Sequence, residues 1–218
     1  MNKETRAFNF EVRAEQSEDH GTYITGTPIV FGQETDMGFY REVIDKDALK
    51  DTDLKDVRFL IGHNTSMIPL ARSRNNNENS TMQMSVTDAG MDIRVDLDTE
   101  NNAEARALYS AVKRGDMSGM SFMFVVDGDS WEDADTDYPK RTIMSIRKVF
   151  EVSAVAFPAY EGTSIQAASE GQTLDSVRAS LESARVKLAE ERAAKAEQER
   201  RMALVERLVN ILEGGQTK

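Results

Sequence analysis

All four prolines, the single tryptophan and every other aromatic residue of the 218-residue chain lie before residue 165, so its two parts must fold by different rules. The length suits one domain of ordinary size with an appendage, and the break divides it into a body, 1–165, and a tail, 166–218.

In the body, short alternating or apolar runs are punctuated by turn residues: AFNFEVRAE, TYITGTPIVF, VRFLIGHN, TMQMSVTD, GMDIRVDLD, MSFMFVV and KVFEVSAVAF. Runs of this kind predict a mostly antiparallel sheet or barrel. Two helices are expected to interrupt it. DKDALKD is short, whereas NNAEARALYSAVKRG carries Ala105, Leu108 and Val112 at helical spacing and ends on Gly115. The fold class is therefore α+β, dominated by β. DGDSWEDADTDYPKR reads as a long acidic hairpin loop. Its DADTDY segment fails as a calcium loop, because Tyr138 stands where glycine is required and Met144 where a bidentate glutamate belongs.

The tail follows a seven-residue register through Leu174, Val177, Leu181, Ala184 and Leu188, and again through Met202, Val205, Val209 and Leu212. Glu191, Lys195 and Gln198 occupy the register between them, which favours one long helix over a continuous coiled coil. With nine acidic and nine basic residues in 170–218, the tail is neutral and the formal charge of −11 resides in the body. That charge argues against nucleic acid and anionic membrane as partners. The N-terminus has no apolar signal core and no window reaches a membrane span, so the chain reads as soluble and unexported.

Without cysteine there is no disulfide, thiolate metal site or thiol nucleophile, and hydrolytic chemistry must come from hydroxyls, carboxylates or histidine. No cofactor or metal is expected. Of the two histidines, His20 lies in a polar turn-like segment, while His63 ends the apolar run VRFLIGHN, where a strand delivers a side chain to a sheet rim. His63 is the favoured base, with a partly buried loop histidine as the plain alternative. Ser121, in GDMSGMSFMF, follows a helix terminator and begins an apolar run; by residue type alone other serines qualify equally, Ser118 first among them. Glu151 is a lone carboxylate in KVFEVSAVAF, and a buried charge needs a partner: either the second nitrogen of a base histidine or an arginine such as Arg147.

Together, GHN at 62–64, GDMSGMSFMF at 115–124 and FEVSAVAFPAY at 150–160 resemble the three blocks of the prohead proteases of tailed phages, of the HK97 type, over about residues 5–165. The resemblance implies a β-barrel related to the herpesvirus assembly proteases, with His63 as base, Ser121 as nucleophile and Glu151 as the third member, where the herpesvirus relatives use a second histidine. It also implies a serine endopeptidase acting inside the immature capsid in the host cytoplasm, on scaffold segments, capsid-protein extensions and itself. Its partners would be the major capsid protein and scaffold, with a homodimer or tail-mediated oligomer compatible. One departure is Met123, which replaces the glycine of many relatives in SFMF. For the oxyanion, the amides of 119–121, Arg72 and Arg74 are candidates. The rival readings are a non-enzymatic assembly protein that keeps the fold, and a hydrolase for small esters or amides.

Overall fold

A computed structural model describes residues 3–8, 12–17, 21–156 and 171–214, the last with side chains over 174–208. His20, residues 157–160 of the third block and the break near 165 lie outside the described residues. By contacts the chain divides into two units, 1–176 and 177–218.

In chain order the elements are β1 (Glu4–Phe8), β2 (Arg13–Ser17), β3 (Gly21–Val30), β4 (Thr35–Asp36), β5 (Arg41–Ile44), β6 (Asp56–Ile61), β7 (Ala71–Arg74), β8 (Met82–Val86), β9 (Gly90–Asp96), α1 (Ala103–Arg114), β10 (Gly119–Glu132), β11 (Lys140–Val155) and α2 (Gly171–Gly214). The α+β, mostly β expectation holds. Among the described residues the strands form two open sheets rather than one hydrogen-bonded ring. One runs β1-β10-β11-β5-β4 with β6 and β7 branching from β11, and the other runs β2-β3-β9-β8.

The sixteen-residue β11 organises the larger sheet. Its whole length pairs antiparallel with β10, while its other edge takes two short strands in parallel, β5 at 140–143 and β6 at 151–154. These parallel pairs depart from the antiparallel expectation, because β5 and β6 each reach β11 by a crossover instead of a hairpin.

Alternation along the strands divides the buried residues between two faces. Met120, Phe122 and Phe124 of β10, Val152 and Ala154 of β11, and Val57 and Phe59 of β6 all enter the main core. Phe122 and Phe124 stack there at 4.6 Å between ring centroids. The intervening residues, Ser121 and Met123 on β10, Glu151 and Ser153 on β11, fall on the opposite face.

Helix α1 forms where the spacing predicts it, with Ala105, Leu108 and Val112 buried. Asn102 caps its start by accepting from the amides of Glu104 and Ala105 at 2.9 and 3.2 Å. Gly115, at φ 82°, ends it in the left-handed conformation and turns the chain toward β10. DKDALKD, by contrast, is not a helix but successive turns: Ala48 bonds back to Asp45, Lys50 to Asp47 and Thr52 to Leu49, and the Asp45 carboxylate takes the Asp47 amide. The acidic hairpin loop is also shorter than expected. Residues through Glu132 and from Lys140 continue the ladder, leaving 133–139 as the turn. The described ends of AFNFEVRAE belong to different sheets, residues 7–8 to β1 and 13–15 to β2.

In the second unit the helix continues unbroken across the polar middle of the register. Met202 and Val205 are exposed, as are Val186, Leu204 and Leu208. No helix among the described residues is long and apolar enough to cross a membrane.

Candidate active site

Strand β6 ends at Ile61, and the next two residues, Gly62 at φ 57° and His63 at φ 61°, are both left-handed. The Gly62 amide still bonds to Ala154 O at 3.0 Å, and Asn64 N closes the turn on Ile61 O at 3.1 Å. A left-handed histidine is sterically unfavourable by about 1 kcal/mol or more, so its surroundings must hold it there. The constraint is visible. His63 N donates to Ser153 Oγ at 3.1 Å, and its Nδ1 lies 2.5 Å from Glu151 Oε1.

Glu151 is the lone carboxylate of the apolar run, 2 % exposed. Its partner is His63 on one oxygen and the Ser153 hydroxyl, donating at 2.6 Å, on the other. The arginine alternative does not apply: Arg147 pairs with Asp127. An acidic partner on Nδ1 selects the tautomer that carries its proton there and leaves Nε2 as an acceptor, the form a general base requires.

Ser121 is directly opposite Ser153 in the β10–β11 register, and Met123 is opposite Glu151. Residues paired in this way share a face with Cβ atoms about 5 Å apart. The register therefore places Ser121 on the same sheet face as Ser153 and Glu151, the two residues that hold His63. Ser118 precedes β10 and has no place on that ladder. Met123, the departure from the family pattern, also stands on this face.

The Ser121 hydroxyl is fully buried and donates its single proton to Arg6 O of β1 at 2.6 Å. The serine thus shares a sheet face with Glu151 and has its proton committed to the β1 backbone. None of the oxyanion candidates presents a free donor from a buried position beside Ser121. Arg72 forks onto Asp56 at 2.6 and 2.9 Å, Arg74 is an exposed residue of β7, and β10 at Met120 and Ser121 is flanked by β1 and β11, whose ladders consume the amides of a central strand.

A second polar cluster was not foreseen. Arg6 pairs with Glu4 at 2.6 Å and with both oxygens of Glu42, while Arg141 bonds Glu4 at 2.8 Å, Glu42 at 3.0 Å and Asp129 at 2.6 Å. Burial alone would raise the Glu4 pKa, but the Arg6 and Arg141 guanidiniums hold it below its ordinary value. Arg6, Glu4, Glu42 and Arg141 are each no more than 4 % exposed at the side chain. The cluster fastens β1 to β5 and β11, and so keeps Arg6 O against Ser121. Among the described residues no group of three or more His, Asp or Glu is placed to hold a metal ion.

Residues 8–177 match the family of caudovirus prohead serine proteases. No curated protein matches the chain. Among solved structures it is similar to the bacteriophage T4 capsid assembly protease, with 13% identity and a TM-score of 0.34, over 70% of this chain and 98% of that one.

Proposed function

Because the chain belongs to the caudovirus prohead serine protease family, we propose that Ser121, His63 and Glu151 are its catalytic residues. The protein is a serine peptidase. In the reading offered here, the Ser121 hydroxyl turns from Arg6 O to His63 Nε2, which takes its proton as Oγ attacks the peptide carbonyl. His63 then gives that proton to the leaving amine, and water releases the acyl group by the same steps. Glu151 keeps the proton on Nδ1 and stabilises the imidazolium. The observation that carries this reading is the Glu151–His63 contact at 2.5 Å on the face that also holds Ser121.

The proposed substrates are scaffold segments, capsid-protein extensions and the enzyme's own tail, cleaved inside the prohead in the host cytoplasm. The major capsid protein and scaffold are its proposed partners. The division into a protease domain, 1–165, and a helical docking tail, 166–218, belongs to the same proposal; the exposed Met202, Val205 and Leu208 suit helix packing with a partner. A fluorophosphonate added to assembling shells tests the chemistry: the adduct is expected on Ser121 by peptide mapping. An adduct on Ser118, or on no serine while cleavage proceeds, would overturn the assignment.

A further inference from the structure

Resting on that catalytic reading, we propose that Ser153 is a positioning residue of the active site, one hydroxyl that orients both Glu151 and His63. Its single proton goes to Glu151 Oε2 at 2.6 Å, and its lone pair accepts the His63 amide at 3.1 Å. A hydroxyl is suited to this double task because it donates and accepts at one atom.

Each bond has its own effect. The Glu151 side chain has three rotatable bonds, and holding Oε2 leaves Oε1 facing Nδ1. Without the donor, Oε2 would be a buried carboxylate oxygen lacking a partner. The His63 amide lies beyond the last residue of β6, where the chain has turned left-handed, so a side chain replaces the ladder as its acceptor. Ser153 also pairs with Leu60 of β6 and with Ser121 of β10, which ties the base and the nucleophile to the same position of β11. With its proton on Glu151 and its oxygen taking the His63 amide, the Ser153 hydroxyl acts through these two groups.

The test reads the imidazole directly. With two histidines in the chain, nitrogen NMR resolves two rings, and a His63→Gln variant identifies which signals vanish. In the wild type, His63 is expected to carry its proton on Nδ1 with Nε2 bare. In Ser153→Ala the ring should become a mixture of tautomers. Capsid-protein cleavage should slow roughly 10- to 100-fold, as when an orienting partner is lost. Ser153→Thr, which keeps the hydroxyl, should retain the wild-type tautomer and guards against a folding defect in the alanine variant. An unchanged tautomer in Ser153→Ala would overturn the proposal. A changed tautomer with cleavage that survives Ser121→Ala would leave the role of Ser153 standing and overturn the catalytic reading instead.

Discussion

Nδ1 of His63 lies 2.5 Å from Oε1 of Glu151, a contact between the end of one strand and the interior of another, 88 residues away in sequence. It exists because β6 runs parallel to the last third of β11 and then turns left-handed just past the point where Glu151 and Ser153 face outward from the core. The geometry predicts that Glu151→Gln folds normally but loses roughly 10³- to 10⁴-fold in kcat, since an amide no longer enforces the Nδ1 proton. Steady-state kinetics on a capsid-protein peptide checks this; a loss under tenfold would contradict it.

The predicted blocks at His63, Ser121 and Glu151 converge on one face because each is local: a strand end, a helix stop followed by a strand, and a charge inside an apolar run. Ser153 was missed, although a signal for it was present. It stands two residues after Glu151, and period two places it on the same face. The Glu4–Arg6–Glu42–Arg141 cluster was not legible, since Glu42 and Arg141 join the neighbouring Glu4 and Arg6 from positions 36 to 137 residues away. Nor was the shortness of the acidic turn, because ladder pairing with β11 overrides the turn composition of 127–132.

Stability is predicted to depend on pH through Glu4. Its folded pKa is depressed below the ordinary 4.5, so its contribution is present above that value and is lost as pH falls through the folded pKa. Urea midpoints measured downward from about pH 6 should decline more steeply for the wild type than for Glu4→Gln. Parallel declines would count against the linkage. Arg141→Ala, which leaves buried carboxylates uncompensated, should cost about 3–5 kcal/mol.

The N-cap of α1 contributes independently. Asn102→Ala should lower stability by about 1 kcal/mol, read by denaturant unfolding, because the Glu104 and Ala105 amides lose their acceptor. An unchanged midpoint would show that water substitutes fully.

Burial of Ser121 against Arg6 O predicts a latent resting form. The isolated protein should react with a fluorophosphonate more slowly than the same chain in assembling shells. Equal rates would contradict latency.

The most direct test of the central claim is intact mass over time for wild type, Ser121→Ala and Ser118→Ala, each co-expressed with the capsid protein from the same source. Wild type and Ser118→Ala should give shortened capsid protein and shortened protease, and only Ser121→Ala full-length chains. Cleavage that persists in Ser121→Ala, or full-length chains in all three while shells assemble, would contradict it.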